Sequence, residues 1–226
     1  KRWYGRSINN ILDEMEEIIE RYQVRQFMFD DSSFEDPYRD LRRLKEFVYG
    51  IQKRRLKIYY YFNIRADFYK KVDDDFMKLL VKSGLRAVGL GLEAGNRDDI
   101  GLYNKAATLD DNYNIINFLR KYNIQCYIGF INFNAYTTID SLEENLKFLK
   151  FAKMPFLFLT ELDIYRGTRI FEKIKNDNLI KDKCVCGKYI YKYINNDVEN
   201  LVQFLFTYTG RVNDTNNQIL KTLEGY

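Results

Sequence analysis

The sequence predicts an α/β fold built on a parallel sheet, and three observations predict it. Helical and strand-like hydrophobic periods alternate along the chain at intervals of roughly 30 residues, as in repeated helix–strand units. Only two prolines and 12 glycines occur in 226 residues, so little of the chain is linker. Polar residues fall at the C-terminal end of one predicted strand after another. A chain of this length, 46% apolar, can bury about 70% of its unfolded surface and needs neither disulfide nor structural metal to hold a core.

Taken in order, the first element is an amphipathic helix opened by Ser7. Ile8, Ile11, Leu12, Met15, Ile18, Ile19 and Tyr22 recur at spacings of three and four, with Asp13, Glu14, Glu16 and Glu17 opposite. Val24–Phe29 is an apolar run of strand length that ends in the polar turn Asp30-Asp31-Ser32-Ser33. The unit then repeats. A helix around Leu41–Ile51 leads to a strand at Ile58–Phe62, and a helix around Phe76–Val81 stops at Ser83-Gly84 before the strand Ala87–Leu92. A helix over Tyr113–Tyr122 precedes the strand Gln125–Phe133. A helix over Ile139–Phe151, capped by Thr138, precedes the strand Phe156–Ile164. On the strand 58–62, Tyr59 and Tyr61 face one side and Tyr60 the other. Most of the 19 tyrosines and 17 phenylalanines are expected in the core.

After Asn178 the pattern changes. Lys181–Lys188 is polar and hairpin-like, Asp197–Tyr208 is an amphipathic helix, and a second helix runs from about Asn216 to Leu223. Residues 1–180 therefore form the core and 181–226 a C-terminal extension.

Composition removes several chemistries. The chain has no histidine, which excludes Ser-His-Asp and Cys-His catalysis, helical His-Glu-x-x-His zinc sites and histidine pH sensing. Three cysteines, Cys126, Cys184 and Cys186, cannot make an even disulfide framework, which points to a reducing cytoplasm. Cys126 is expected to be a small buried residue, and Cys184 with Cys186 is too small a ligand set for a metal. Charges of both signs alternate rather than forming a basic stripe, so nucleic acid is not an expected partner. No apolar run reaches the roughly 20 residues of a membrane span, and Lys1-Arg2-Trp3-Tyr4 is too polar to open a signal peptide. The chain does not begin with methionine and is expected to lie inside a longer protein.

Both a doubly wound sheet and a (β/α) barrel fit the alternation. The strand ends favour the barrel. Asp30-Asp31, Asn63-x-Arg65, Glu93, Asn132-x-Asn134 and Asp163 follow successive strands, and in a barrel such ends share one mouth, whereas an open sheet separates the outer ones. The expectation is five or six parallel strands curved as a partial, TIM-like barrel, helices outside, with Asp31, Arg65, Glu93 and Asn132 near one mouth.

Several stretches, taken together and in order, resemble a known superfamily. They are Arg6-Ser7, Asp13-Glu14, Phe29-Asp30-Asp31-Ser32-Ser33-Phe34 and Arg65-Ala66-Asp67. Ser83-Gly84-Leu85, Gly89-Leu90-Gly91-Leu92-Glu93-Ala94-Gly95-Asn96, Asn104-Lys105 and Thr108 follow. The series ends with Phe130–Thr138 and Tyr165-Arg166-Gly167-Thr168. Over roughly residues 1–180 it resembles the radical S-adenosylmethionine superfamily, especially members associated with a cobalamin-binding domain. The family's Cys-x3-Cys-x2-Cys loop is not in this sequence, and its natural place is just upstream of Lys1.

The resemblance implies a partial barrel that binds S-adenosylmethionine for reductive cleavage at a [4Fe-4S] cluster whose ligands lie outside this chain, with or without cobalamin on a separate domain. It implies a small-molecule or peptide substrate and an electron donor such as flavodoxin or ferredoxin. Asp30 and Asp31 match the position facing the amino group of S-adenosylmethionine, and Arg65 suits its carboxylate through a planar fork. Glu93 matches an acceptor for the ribose or amino group, Ile131 and Asn132 the strand edge beside adenine, and Tyr165 a further cofactor contact. Tyr61, Asn63, Asn134 and Tyr136 are the candidate substrate contacts. Other readings stand beside these: Arg65 with Asp67 as a surface ion pair, Asp30-Asp31 as a turn, and Glu93 as a structural partner of Arg65. At the level of the whole domain the alternatives are a scaffold that lost its cluster, or a barrel lyase or hydrolase using Asp30 or Asp31 with Glu93.

Overall fold

The computed structural model describes residues 5–35, 40–154, 160–183 and 188–208. Its elements run in chain order α1 (Ile8–Tyr22), β1 (Gln26–Met28), α2 (Arg42–Lys53), β2 (Tyr59–Ile64), a 3-10 turn (Ala66–Lys70), α3 (Asp74–Ser83) and β3 (Leu85–Glu93). There follow α4 (Arg97–Leu102), α5 (Leu109–Lys121), β4 (Gln125–Phe130), α6 (Ile139–Ala152), α7 (Arg169–Asn176), β5 (Ile180–Lys183) and β6 (Tyr189–Tyr191). Residues 196–208 are also helical. The chain packs as two units, one of residues 1–93 with 105–129, the other of 94–104 with 130–226.

The first unit carries the sheet, in the order β1-β2-β3-β4. β1–β2 and β2–β3 are parallel, with Met28 opposite Tyr61 and Asn63 opposite Gly89. This is the α/β class that the alternation predicts and the partial barrel that the strand ends favour, and no closed barrel forms among the described residues. The expected alternation on β2 holds: Tyr60, Phe62 and Ile64 are buried on one face. Phe29, Phe34, Phe47, Tyr60 and Phe62 join edge to face, stacked or tilted at centroid distances of 4.5–5.7 Å. Each such ring removed from water contributes about 1.5–3 kcal/mol. Behind them α1 lies against α2, with Leu12 seated so close to Gly50 that a Cβ there would come within 2.3 Å of it.

Several expectations are corrected. Four strands, rather than five or six, form the sheet among the described residues. The predicted strand Phe156–Ile164 lies partly outside them, and its described end only bridges Glu161 to Phe133 in parallel. β4 stops at Phe130 rather than Phe133, because the N–H groups of Asn132 and Phe133 both turn to the Thr160 carbonyl (3.0 and 3.1 Å). Helices α4 and α7 were not expected. Each is short and is opened by its own polar cap, Asn96 and Thr168, rather than by a long apolar period. The expected helix 216–223 and the pair Cys184 and Cys186 lie outside the described residues.

The second unit closes a core of Phe133, Ala135, Ile164, Phe171, Ile174, Tyr191, Tyr193, Val198 and Val202. β5 and β6 make the expected hairpin, antiparallel, with Lys183 opposite Tyr189. A buried polar chain runs through this unit. Asn134 Nδ2 donates to Asp99 Oδ1 (2.7 Å), Asn96 Nδ2 to Asp99 Oδ2 (2.6 Å), and Asn145 Oδ1 accepts from Asn96 Nδ2 (3.1 Å) and the Gly95 N–H (2.7 Å).

α5 starts with a capping box in which Thr108 and Asp111 exchange hydrogen bonds, and Asp111 also accepts from the Tyr69 hydroxyl (2.8 Å) and the Lys70 ammonium (2.5 Å). Burial pushes this carboxyl up, yet Lys70, Thr108 and Tyr69 together outweigh it and hold it well below the usual carboxylate range. A depressed folded pKa contributes stability above the unfolded value of about 3.9 that is lost as pH falls through the folded one. Asp111→Asn should therefore destabilise the chain by about 1 kcal/mol at pH 7. Denaturant titrations of both proteins should converge as pH drops below about 4, and a constant difference across that range would refute the electrostatic origin.

Candidate functional site

In the first unit the open face of the sheet is set by residues two apart. Tyr59, Tyr61 and Asn63 on β2 share a face with Ala87, Gly89, Gly91 and Glu93 on β3, by the observed register and the alternation of strands. Tyr61 and Asn63 lie across Gly89: a Cβ there would stand 2.0 Å from Asn63 Oδ1 and 2.2 Å from the Tyr61 hydroxyl. That hydroxyl donates to Asn63 Oδ1 (2.8 Å), and Asn63 Nδ2 donates to the Asp31 carbonyl (2.8 Å). The loop after β1 is thus tied to the end of β2, further held by the Phe29 N–H to Tyr61 O (3.0 Å) and the Phe34 N–H to Asn63 O (2.9 Å). Asp30 and Asp31 are exposed on this loop. Burial, then Tyr127 and the Asp30 charge, push the Tyr61 hydroxyl above its ordinary pKa.

Arg65 follows β2 directly. Its side chain is half-exposed and its Nε stands 3.4 Å from Asp67 Oδ1, so the surface pair read from the sequence is present. Glu93 ends β3. Its φ of +66° is in the left-handed region, which costs a residue with a Cβ about 1–2 kcal/mol and here turns the chain out of the sheet. Its side chain is 19% exposed, and Oε1 accepts from Lys105 Nζ at 2.7 Å. Among the described residues the partner of Glu93 is Lys105, not the Arg65 named in the alternative structural reading. Gly91, two residues back on the same face, leaves the space beside this carboxylate open, since a Cβ there would reach 2.9 Å from Glu93 Oε1.

Near the starts of the same strands lies a cavity of about 520 Å³, lined chiefly by Gln26, Met28, Tyr59, Tyr61, Gln125 and Tyr127. Arg86 stacks over Tyr59 at 4.7 Å. Tyr61 meets Tyr127 edge-on at 5.7 Å, so one ring walls the cavity while its hydroxyl serves the strand ends.

In the second unit Ile131 is half-buried and Asn132 buried, the latter held by Thr160. Asn134 is fully buried. Its amide donates to Asp99 and to the Tyr103 hydroxyl (3.0 Å), and its Oδ1 accepts from the Tyr136 N–H (2.8 Å), so its polar groups are spent inside the protein. The Tyr136 hydroxyl donates to Asp177 (2.6 Å), and burial with this carboxylate pushes its pKa up. Tyr165 is 47% exposed.

Sequence reasoning missed Glu35, a buried carboxylate beside Arg65, for which a lone acid in a polar turn gives no signal. The partner role of Lys105 was also missed. The Gly89-Gly91-Glu93 period of two was the available clue to the open face.

No protein-family model matches the chain. In sequence it is 26% identical over 167 residues to the 4'-phospho-dehydrooxetanocin synthase of Priestia megaterium, covering 69% of this chain and 22% of that protein. It is 28% identical over 142 residues to the anaerobic magnesium-protoporphyrin IX monomethyl ester cyclase of Rubrivivax gelatinosus, covering 63% and 25%. In structure it superposes on the cobalamin-dependent S-adenosylmethionine radical enzyme OxsB, solved with aqua-cobalamin and S-adenosylmethionine bound. That match has a TM-score of 0.76 and 19% identity over 91% of this chain and 37% of that one. The radical S-adenosylmethionine methyltransferase TsrM from Kitasatospora setae matches with a TM-score of 0.61 and 15% identity over 76% and 33%. The chain is thus similar in sequence to these two enzymes and carries the fold of cobalamin-dependent radical S-adenosylmethionine enzymes. It spans only 22–25% of the length of the two curated relatives named here. No helix among the described residues is long and apolar enough to cross a membrane.

Two cofactor classes can be tested against these residues. An iron–sulfur cluster does not fit them: no group of three or more His, Cys, Asp or Glu is placed to hold a metal among the described residues. Cys126 is half-buried, its thiol pushed up to about 11 by burial, the reverse of a ready thiolate ligand. S-adenosylmethionine fits better. Half-exposed Arg65, exposed Asp30 and Asp31, and Glu93 beside the glycine-cleared face supply the opposite charges its amino and carboxylate groups need.

Proposed function

We propose that this chain is the S-adenosylmethionine-binding core of a radical S-adenosylmethionine enzyme whose cluster cysteines lie in sequence outside these 226 residues. The observation that carries the reading is the end of β3, where a left-handed Glu93 presents its carboxylate beside Gly91 on the open face. When bound, S-adenosylmethionine would supply a 5'-deoxyadenosyl radical on reductive cleavage. The residues of this chain bind and orient it. Arg65 offers a planar fork to the carboxylate, and Asp30 and Asp31 accept from the ammonium. Glu93 accepts from the ammonium or the ribose hydroxyls. Ile131 and Asn132 offer backbone groups to adenine, and Tyr165 a further contact. Tyr61 and Asn63, already hydrogen-bonded to each other, would face substrate, as would Tyr136. For Asn134 the internal bonds favour a supporting part instead. A small-molecule or peptide substrate, a flavodoxin- or ferredoxin-type electron donor and cobalamin on a separate domain complete the reading, in the cytoplasm.

The test is reconstitution. Treated anaerobically with iron and sulfide, the full-length protein should gain 4Fe-4S absorbance and, with a strong reductant, convert S-adenosylmethionine to 5'-deoxyadenosine and methionine. The 226-residue chain alone should gain no cluster. A stoichiometric cluster in that chain would make Cys126, Cys184 and Cys186 its ligands. Full-length protein that stays cluster-free would support the scaffold reading.

A further inference from the structure

Behind Arg65 sits a carboxylate withdrawn from solvent. Glu35 is 4% exposed. Its Oε1 accepts from the backbone N–H of Arg65 (3.1 Å) and from the Ser33 hydroxyl (3.3 Å), and its Oε2 from Lys71 Nζ (3.1 Å). One residue therefore ties the loop after β1 to the first residue beyond β2. Lys71 makes a second contact, to Asp67 Oδ1 at 3.3 Å, and this is the same oxygen that Arg65 Nε approaches at 3.4 Å. Two cations share one carboxylate oxygen, and Lys71 bridges it to Glu35.

We infer that Glu35 is a positioning residue for Arg65. It fixes the Arg65 backbone and engages Lys71, so that Asp67 orients the guanidinium and leaves its terminal nitrogens to an anionic ligand group. Among the described residues those terminal nitrogens have no protein partner. The Arg65 side chain is 55% exposed and the Glu35 side chain 2%, so the charge that shapes the cation is hidden while the cation faces outward. The inference rests on the reading of Arg65 as the group that takes the carboxylate of S-adenosylmethionine. Glutamine at position 35 would keep the acceptor for the Arg65 N–H and remove the charge that holds Lys71. Lys71 would then close on Asp67 and displace Arg65.

The experiment is calorimetric titration of S-adenosylmethionine into the reconstituted full-length protein and three variants, with thermal melting of each. Arg65→Gln should weaken binding at least tenfold, and Glu35→Gln by roughly tenfold, the size set by losing one charge-assisted contact. The double variant Glu35→Gln with Lys71→Met should recover affinity to within about threefold of the parent, because the competing cation is gone. Melting temperatures should stay close in all. If Arg65→Gln weakens binding and Glu35→Gln does not, the inference is overturned and the reading of Arg65 stands. If Arg65→Gln leaves affinity unchanged, that reading falls and the inference with it. If Glu35→Gln weakens binding without recovery in the double variant, or only along with a lowered melting temperature, Glu35 is a structural residue and the inference is again overturned.

Discussion

Glu93→Gln in the reconstituted full-length protein should lower affinity for S-adenosylmethionine by about ten- to a hundredfold, or roughly 1.5–3 kcal/mol, with the fold intact. Glutamine is nearly isosteric, so the open space beside Gly91 and the left-handed turn at position 93 are both kept. What disappears is the negative charge. Lys105, 2.7 Å away and itself half-exposed, then lacks its counter-ion, and a cationic ligand group meets a neutral amide. Loss of the ion pair itself should cost under about 1 kcal/mol of stability, because solvent reaches both partners. Titration calorimetry and a melting curve on the same sample separate the effects. Unchanged affinity would reduce Glu93 to a strand-end partner of Lys105, and unfolding would make it a structural group.

Gly84→Ala should strongly destabilise the first unit. Gly84 ends α3 with φ +121°, a conformation L side chains rarely adopt, and its N–H caps Leu80 and Val81. An added Cβ would stand 2.1 Å from the Ile58 carbonyl oxygen, a backbone atom that cannot turn aside. It would also sit 3.5 Å from the Tyr60 ring, which is buried against Ser83 with its hydroxyl bonded there at 2.7 Å. Strain of about 1–2 kcal/mol and overpacking of about 1–3 kcal/mol together predict a loss near 3 kcal/mol. For a chain of this size that lowers the melting temperature by roughly 6–12 °C. A shift below about 2 °C would mean that the β2–α3 junction yields, and that this glycine is less confined than its geometry implies.

The alternation of periods was legible because it reflects burial, which long helices and central strands express over many residues. α1 and α2 show it clearly: their buried positions Ile8, Leu12, Met15 and Ile19, and Leu44, Phe47, Val48 and Ile51, follow helical spacing. The helix stop at Ser83-Gly84 was legible for the same reason that its substitution is costly. Short elements were not. α4, six residues long, is set by the Asn96 cap and by Asp99 bonded to Asn134, 35 positions along the chain, and no local window contains that contact. In the candidate site, residues at strand ends could be named, because strand direction fixes which end is polar. Partners could not, because Glu93 finds Lys105 and Arg65 finds Glu35 only once loops are folded back. The burial of Asn134 shows the limit most directly, since a strand-end asparagine reads alike whether it faces a ligand or an aspartate.

The division of the chain between its two units carries a consequence for biosynthesis. The backbone crosses from one to the other after residues 93, 104 and 129, so neither is a continuous stretch of sequence. A nascent chain halted after residue 93 holds β1, β2 and β3 but lacks β4 and α5, and its β3 edge stands unpaired. Residues 94–104 emerge from the ribosome before the segment that buries Asn96 and Asp99 has been made. Order must therefore arrive late, and arrested nascent chains of increasing length should gain protease resistance in two steps, the first unit only beyond residue 129 and the second only once the residues that close its core have been made. Until the first step the unpaired β3 edge stays open to pairing with other chains.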